Sequence, residues 1–358
     1  MSEVSRGLDR ILLLAIETTC DETGAAVLEG PRPPGVGVPT ILSSVVASQI
    51  VLHERFGGVV PEIASREHVR QVLPVIDEAL RRAGVALGEI GAIAVATRPG
   101  LVGALVVGLT AAKALAIALG VPLVAVDHLE GHLYACQLAY PDRDVYPCLG
   151  LVVSGGHTSL FACEGPIVVH ALGGTMDDAA GEAFDKVASM LGLGYPGGPG
   201  VEVAARSGNA KAYAFPRSYL HDDRLLFSFS GLKTAVSYAL RDQAAAQGGG
   251  ERSAEVVADV AASFQEAVVD ILVAKTYQAL QRTGYRNIGI GGGVAANGRF
   301  RERMTEMAKR AGVELFVPPL SLCTDNAAMA GIALPKLAAG HTVPLDIDVR
   351  PGLVRPGR

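Results

Sequence analysis

The stretch DHLEGHLYAC, residues 127–136, carries two histidines four residues apart with a glutamate between them. Asp127 follows an apolar segment and is a good helix N-cap, so His128 and His132 are predicted to lie one turn apart on one helical face. Two imidazoles at that spacing can bind one divalent metal ion, and the alternative is a pair of surface or capping histidines. Cys136 continues the same face as a candidate ligand, although a buried structural cysteine is the simpler interpretation.

The spacing is similar to the zinc-protease motif HExxH, but the glutamate stands in a different place. A peptidase needs the glutamate directly after the first histidine, where it faces the metal-bound water. Glu130 comes two positions after His128, roughly 200° around the helix, and is predicted to point away from the metal. The residues therefore favour a metal site without the peptidase base, and a metallopeptidase (glycoprotease) remains the alternative.

An aspartate from elsewhere in the chain would complete such a site. In LCTDNAAMAGIAL, Asp325 or Asn326 begins an apolar helix and by itself indicates only a helix cap. If the fold brings Asp325 to the two histidines, the three side chains form a donor set with open positions that suits a catalytic metal.

Three further segments have the composition of a nucleotide or nucleoside site. In VVSGGHTSL, two glycines after a strand let the backbone approach a phosphate closely, although an ordinary hairpin turn has the same letters. In 174–202, a helix is predicted to carry Asp178, Glu182 and Asp185 on one side, suited to sugar hydroxyls or an amine. The bend at Gly197 and Gly198 and the following Glu202 come next to this carboxylate face, and in IGIGGGVAANGRF the side chain of Asn297 is a hydrogen-bonding group after a glycine turn.

The elements that must position these residues form an internal repeat. Residues 11–30 read as strand, polar turn, strand, and 148–165 repeat that plan, so each is predicted to be a β-hairpin that opens one α/β half. The proposed units are an N-terminal half at 9–137, a C-terminal half at 138–345 and a tail at 346–358, of which RPGLVRPGR (350–358) looks frayed. Two such halves suit a ligand held in the cleft between them.

Composition narrows the class of protein. The net charge of −5 makes a large basic surface for nucleic acid improbable, so a nucleic-acid substrate would need local basic groups or a partner. Five scattered cysteines without Cys-x-x-Cys spacing indicate reduced thiols and a cytoplasmic location. The apolar stretch 101–126 contains Lys113 and is broken at Gly120 and Pro122, so it is predicted to be a buried helix and strand, with no membrane partner.

Taken together, these motifs resemble the TsaD family, once labelled O-sialoglycoprotein endopeptidase. The resemblance covers nearly the whole chain, including IETTCDETGAAV, PEIASREH, HLEGH, VVSGGHTSL, DDAAGEAFDKVASMLGLGYPGGP and CTDNAAMAG. It implies a duplicated actin-like ATPase (ASKHA) fold and transfer of the threonylcarbamoyl group from threonylcarbamoyl-AMP to N6 of the adenosine at position 37 of tRNA. One departure is Arg98, which stands before PGLVGAL where the family usually has glycine.

The resemblance also implies ligands and partners. It implies that His128, His132 and Asp325 bind one divalent ion, which is Fe2+ with Zn2+ as the alternative. It also implies that an adenine nucleotide binds, either as the donor or as a ligand. The partners that it implies are the tRNA substrate, the helper proteins TsaB and TsaE, and TsaC as the source of the donor. The residues that it implies for the substrate pocket are Val152, Val153, Ser154, Gly155, Gly156, Asp185, Gly198, Glu202 and Asn297.

Two other classes of protein compete with the transferase. A non-catalytic scaffold of the same fold needs neither the histidine pair nor the SGGHT turn. A sugar kinase or chaperone-type ATPase lacks the histidine pair and carries an aspartate-rich first hairpin.

Overall fold

The structure, a computed structural model, describes residues 10–35, 37–246 and 252–352. Its strands form two sheets, one in each half of the chain. The strands of the first sheet are β1 (Arg10–Glu17), β2 (Glu22–Pro31), β3 (Thr40–Ser48), β4 (Ala92–Arg98) and β5 (Leu123–Asp127). Those of the second are β6 (Cys148–Val153), β7 (Thr158–Gly165), β8 (Val168–Thr175), β9 (Leu226–Phe227), β10 (Asn287–Gly291) and β11 (Glu314–Phe316).

The two sheets have the same topology. The first has the order β3-β2-β1-β4-β5, and the second has β8-β7-β6-β10-β11 with β9 added at the β8 edge. In each sheet, the second and third strands run antiparallel on one side of the first strand, and two strands parallel to the first lie on its other side. The predicted duplication and the actin-like α/β fold are thus confirmed, whereas β3, β8 and β9 were not predicted.

Helices follow the strands much as the apolar periodicity predicts. The stretch expected to form a helix over 325–339 is instead a 3-10 turn at Ala327–Ile332 followed by a short α-helix. The helices are α1 (Ile50–Glu54), α2 (Pro61–Ala83), α3 (Val102–Leu119), α4 (His128–Ala139), α5 (Ala180–Leu191), α6 (Gly197–Ala205), α7 (Ser230–Ala246), α8 (Ala254–Thr283), α9 (Gly298–Ala311), α10 (Leu320–Cys323) and α11 (Ala333–Ala338).

The apolar helix α3 packs against α2 and β4. Leu105, Leu109 and Ala112 are buried, while Val106 and Ile117 are exposed. The sequence predicted a buried helix, and the structure buries only one of its faces. By length and composition it is the one helix in the described part of the chain that could cross a membrane, a test that core helices also pass. The Lys113 ammonium donates to the Ile347 carbonyl, which ties the C-terminal segment to this helix.

The end of the chain returns to the first sheet. Ala327, Ala330, Ile332 and Leu334 are buried in the same cluster as Leu13 and Ala26 of the first sheet, so the end of the chain packs there although it follows the second half in sequence.

Beyond that, the Arg350 N–H donates to the Thr97 carbonyl and the Gly100 N–H donates to the Pro351 carbonyl. The predicted frayed tail is therefore held at least to Pro351, while 353–358 lie outside the described residues. The domain boundaries at 137 and 345 remain a prediction.

Helix α4 lies directly against β10. A Cβ added to Gly291 would meet the His132 carbonyl oxygen at 2.5 Å and its Cβ at 3.0 Å, distances that leave no room for a side chain. Only glycine lets β10 approach α4 this closely.

We predict that Gly291→Ala lowers the free energy of unfolding by about 1–3 kcal/mol, because the added methyl group meets backbone that cannot turn away. The matched control is Gly293→Ala, since a Cβ at Gly293 has no heavy atom within 4 Å. Urea denaturation measures both variants. Equal losses in the two would show that the contact between α4 and β10 is not the cause.

Candidate metal centre and cleft

The candidate site forms where parallel strands of the two sheets end. In α/β sheets the carboxyl ends of the strands form the ligand-binding edge. The turn 18–21 after β1, Asp127 at the end of β5, the turn at 154–157 after β6 and the glycines after β10 all lie at such ends.

Helix α4 begins at the end of β5 with the predicted cap. The Asp127 carboxylate accepts hydrogen bonds from the N–H groups of Leu129 at 2.8 Å and Glu130 at 3.4 Å. This places His128 and His132 on successive turns, with both side chains buried and their ring centroids 4.6 Å apart.

Asp325 lies beside both histidines. Its Oδ1 is 3.1 Å from Nε2 of His132 and 3.6 Å from Nε2 of His128. One ligand atom from each of the three residues lies within 4.8 Å of the others, a spacing at which they can share a metal ion. The predicted proximity of Asp325 is confirmed, and its role as a ligand stays a prediction.

The chemistry of the donors fits a metal. His132 is fully buried, yet neither of its ring nitrogens has a partner with hydrogen-bond geometry among the described residues. A buried polar atom without a partner is costly, and coordination to a cation removes that cost. Two imidazole nitrogens and one carboxylate oxygen form a donor set typical of a catalytic ion with open positions.

A second layer holds His128. Its Nδ1 lies 3.3 Å from the Glu17 carboxylate and 3.2 Å from the Thr19 hydroxyl, which leaves Nε2 directed at Asp325. Metal-binding histidines commonly donate their other N–H to a carboxylate in this way. Burial by itself would lower the pKa of His128, but the carboxylates of Asp325 and Glu17 outweigh it and raise that pKa to about 9.

Glu130 and Cys136 have other partners. The Glu130 carboxylate pairs with the Lys336 ammonium at 2.6 Å, in agreement with its predicted orientation away from the metal. The Cys136 thiol donates to the carbonyl oxygens of Ile290 and Phe316 at 3.5 and 3.6 Å, so it is a structural thiol and not a ligand of the cluster.

The glycine turn after β6 lies next to the histidines. The His157 ring centroid is 6.1 Å from that of His128, and burial together with His128 and His132 lowers the pKa of His157 to about 3. The backbone of Gly155 and Gly156 faces open space on the Cβ side, whereas Val152 and Val153 are wholly buried. If the two valines contact a ligand, they do so through their backbone.

The next wall of the cleft is made by α5 and α6. A Cβ on Gly181 would meet the Ser154 carbonyl oxygen at 2.6 Å, so the start of α5 packs directly on the glycine turn. Asp185 accepts a hydrogen bond from the Gly197 N–H at 2.7 Å, and Gly198 has open space on its Cβ side. These predicted residues are therefore neighbours.

Glu202 and Asn297 meet at the start of α9. The Glu202 carboxylate accepts from the Gly298 N–H at 3.3 Å. The Asn297 side chain caps α9 through the Phe300 N–H and donates to the Gln265 amide oxygen at 2.8 Å. Asn297 thus has a structural task that the sequence did not indicate, and little of its hydrogen-bonding capacity is left for a ligand.

The predicted row of three carboxylates is wrong in part. Asp178 precedes α5 and pairs with the ammonium groups of Lys186 at 2.9 Å and Lys233 at 3.4 Å. Glu182 pairs with Lys186 as well, at 2.7 Å. These lysines neutralise two of the three carboxylates, so Asp185 is the one of the three that has no lysine partner.

Sequence reasoning missed four groups in the first turn and opposite it. Glu17, Asp21 and Glu22 come from the first hairpin, and the Tyr195 hydroxyl donates to Asp21 across the cleft at 3.4 Å. Burial, with the nearby Asp21 and Asp325, raises the pKa of Glu22 to about 10. The available signal was the group of acids in ETTCDETG directly after an apolar strand, because acidic residues are rarely buried without a function.

Arg98, which precedes the PGLVGAL segment, contacts the cap of α4. Its Nε lies 3.0 Å from Oδ2 of Asp127, the residue before His128. Arg98 therefore forms a partly exposed ion pair at the base of α4.

An actin-like α/β protein with a candidate metal centre in its cleft is the class that this geometry defines. Residues 40–332 match the family model for TsaD, tRNA N6-adenosine threonylcarbamoyltransferase. The protein of that description from Rhodopirellula baltica is 52% identical, with 96% of this chain and 97% of the relative covered. That from Kosmotoga olearia is 48% identical, with 95% and 98% covered.

Solved structures support the fold alone. HypF from T. kodakarensis has a TM-score of 0.57 at 14% identity and covers 92% of this chain and 48% of its own. The activator of the 2-hydroxyisocaproyl-CoA dehydratase from Clostridium difficile, with bound ADPNP, has a TM-score of 0.52 at 13% identity, covering 92% and 96%.

The chain belongs to the TsaD family. It is an enzyme that modifies tRNA by threonylcarbamoyl transfer to N6 of adenosine, and the comparisons do not favour a metallopeptidase or an idle scaffold.

We predict that Glu17→Gln lowers the affinity for Fe2+ or Zn2+ by about 10–100-fold, because the second layer orients His128 and raises its basicity. Asp325→Asn, which removes the carboxylate of the cluster, should lower it further. Glu29→Gln serves as the control, since Glu29 pairs with Arg10 at the open end of the β1–β2 hairpin, away from its turn. Competition with a chromogenic chelator measures affinity, and an unchanged value in Glu17→Gln would contradict the second-layer role.

We also predict that Asp185→Asn stabilises the protein at neutral pH. Burial, aided by Asp21 and Glu182 and opposed by the Gly197 hydrogen bond, raises the pKa of Asp185 to about 6. Ionisation therefore opposes folding: its cost is absent below about pH 4 and complete above about pH 6, where it approaches 3 kcal/mol. Asparagine still accepts the Gly197 N–H. The variant should melt higher than wild type at pH 7.5 and equally at pH 4, and a constant difference would refute the assignment.

Proposed function

We propose that the chain transfers the threonylcarbamoyl group from threonylcarbamoyl-AMP to N6 of adenosine 37, 3' of the anticodon, in tRNAs that read codons beginning with adenine. The observation that carries the proposal is the cluster of His128, His132 and Asp325 beside the glycine turn, with the His128 and His157 rings 6.1 Å apart. A metal site and a phosphate-type turn at one cleft edge suit an acyl donor that carries a nucleotide.

In this proposal His128, His132 and Asp325 hold Fe2+, with Zn2+ as the alternative. When bound, such an ion supplies Lewis-acid polarisation of the acyl donor. The donor set excludes neither metal, because imidazole and carboxylate ligands suit both. Glu17 keeps the His128 ring oriented through its contact with Nδ1.

The pocket residues have distinct tasks. The backbone of Ser154, Gly155 and Gly156 approaches the phosphate or the acyl group, with Val152 and Val153 supporting it from the core. Asp185 and Gly198 face the sugar, and Glu202 and Asn297 close the far end by holding the start of α9. The exocyclic amine of adenosine is a weak nucleophile, so placing it against the acyl carbon supplies much of the rate.

Helper proteins are part of the proposal. The helices α2 and α9 carry most of the arginines that could meet tRNA. Most of these arginines already pair with acids: Arg70 with Glu67, Arg81 and Arg82 with Glu78, Arg299 and Arg303 with Glu266, and Arg310 with Glu306. An acidic chain with paired arginines needs further cations to hold tRNA.

The proposed partners are TsaB and TsaE, with TsaC as the source of the donor. Val69 and Leu73 on α2 and Ile117 on α3 are all more than 60% exposed. Exposed apolar side chains on neighbouring helices are typical of a protein interface.

A cytoplasmic location fits the thiol chemistry. The five cysteines are free, and four of them are buried. Unpaired buried thiols are typical of proteins in a reducing compartment.

We predict that Asp325→Asn lowers the rate of tRNA modification at least about 100-fold, the equivalent of ~3 kcal/mol of lost transition-state stabilisation. The assay combines the chain with threonylcarbamoyl-AMP, tRNA and the helper proteins, and quantifies threonylcarbamoyladenosine by nucleoside mass spectrometry. His170→Ala, at an exposed position of β8, should retain full activity. Modification by Asp325→Asn at the wild-type rate, or cleavage of a glycoprotein by the wild type, would refute the proposal.

A further inference from the structure

Two histidines outside the metal centre are wholly buried and have no task in the proposed reaction. His53 lies in α1 and His68 in α2, and both have zero exposure. Buried polar side chains persist in proteins when each of their atoms has a partner, so the partners of these rings indicate their task.

His68 connects α2 to the first turn of the cleft. Its Nε2 lies 2.9 Å from the Cys20 carbonyl oxygen, and its Nδ1 lies 2.8 Å from the Thr23 hydroxyl. A carbonyl oxygen can only accept, so Nε2 carries the hydrogen. Burial is the largest influence on His68 and lowers its pKa, which favours the neutral ring with Nδ1 as an acceptor.

The hydrogen bonds continue from His68 to the elbow between α1 and α2, residues 54–60. The Gln49 side-chain amide donates to Nδ1 of His68 at 3.4 Å and to the Ala64 carbonyl at 3.4 Å. The Gln49 amide oxygen accepts from Nε2 of His53 at 3.2 Å, and Nδ1 of His53 accepts from the Val60 N–H at 3.3 Å.

The chain has one direction throughout. From Val60 through His53, Gln49 and His68 to Cys20, each group accepts from the previous one and donates to the next. A protonated or flipped member would bring two donors together, so each link determines the tautomer and orientation of its neighbour. Buried networks with every member satisfied are rigid.

The receiving end of the chain is the turn that faces the metal centre. The Gln49 N–H donates to the Asp21 carbonyl at 3.0 Å, so two successive carbonyls of the turn are held from the same side. The Thr19 hydroxyl lies 3.2 Å from Nδ1 of His128, and the Asp21 carboxylate accepts from Tyr195 across the cleft.

We propose that the buried chain His53–Gln49–His68 positions the turn 18–21 against the metal centre. The elbow between α1 and α2 is then a determinant of cleft geometry. These are positioning residues, since none of them contacts the three candidate ligands. The consequence for turnover depends on the proposed function, whereas the consequence for the turn does not.

The thiol of Cys20 provides a direct readout of the turn. Cys20 is partly exposed and the other four cysteines are buried, so alkylation by iodoacetamide followed by peptide mass spectrometry reports on this turn. His68→Leu has a similar side-chain volume and removes the hydrogen bonds of His68 to Gln49 and to the Cys20 carbonyl. We expect it to raise the rate of Cys20 alkylation about tenfold, the factor expected for loss of one buried hydrogen bond. Its kcat should fall while KM for the donor changes less.

Two further variants separate positioning from stability. His68→Gln restores a donor near the position of Nε2 and should return alkylation and kcat towards wild type. Ser43→Ala removes another buried hydrogen bond to α2, the one from the Ser43 hydroxyl to the Ala79 carbonyl at 2.7 Å, and should leave alkylation unchanged. Gln49→Met cuts the middle of the chain and replaces His68→Leu if that variant does not fold.

The outcomes are decisive in both directions. Faster alkylation in His68→Leu and Gln49→Met with rescue by His68→Gln supports the positioning chain. Wild-type alkylation in those variants, or an equal rise in Ser43→Ala, overturns it. Faster alkylation with unchanged kcat overturns the link to cleft geometry. If wild type itself shows no transferase activity, the proposed function fails, while alkylation still tests the chain.

Discussion

The meeting of Asp325 with His128 and His132 is the contact on which the rest of the site depends. It requires a carboxylate from near the C-terminus to lie within 3.1 Å of a histidine that follows the last strand of the first sheet. The chain achieves this by packing Ala327–Ile332 into the core of the first sheet, directly after Asp325. Apolar burial therefore pulls the acid into a place where its charge is costly unless a cation or imidazolium compensates it.

Close backbone packing serves the same contact. Gly291 lets β10 of the second sheet approach the carbonyl of His132, and Gly181 lets α5 approach the carbonyl of Ser154. Helix α4 is thus held between the two sheets, and the glycine turn is held beside it. Because glycine has no side chain at these positions, the backbone segments can approach each other closely, and a cleft lined by backbone groups requires this.

The duplicated topology explains why the site has two unlike walls. Each sheet presents a hairpin turn at the same edge, but the first turn carries Thr19, Asp21 and Glu22 and the second carries glycines and His157. The acidic wall suits a cation and an amine, and the glycine wall suits an anion. The Tyr195 hydroxyl links the walls through Asp21, so the two halves contribute to one chemical environment.

Local patterns were enough to predict much of this protein. The apolar runs and the polar turns between them predicted the two hairpins, and the cap at Asp127 with four-residue spacing predicted that His128 and His132 share a face. These features depend on neighbours within one or two turns, which the sequence contains. The orientation of Glu130 away from the metal followed from the same geometry.

Contacts between distant segments could be decided only by tertiary structure. No local pattern indicates that Lys186 and Lys233 neutralise Asp178. The same is true of the Asn297 side chain, which caps α9 and donates to Gln265. It is also true of the hydrogen bond from His68 to the Cys20 carbonyl. Each is a pairing of partly or wholly buried polar groups, whose partners are set by the packing of whole elements and not by spacing along the chain. The sequence by itself therefore determined which chemical groups are available and on which faces they lie, and the fold decided which of them meet.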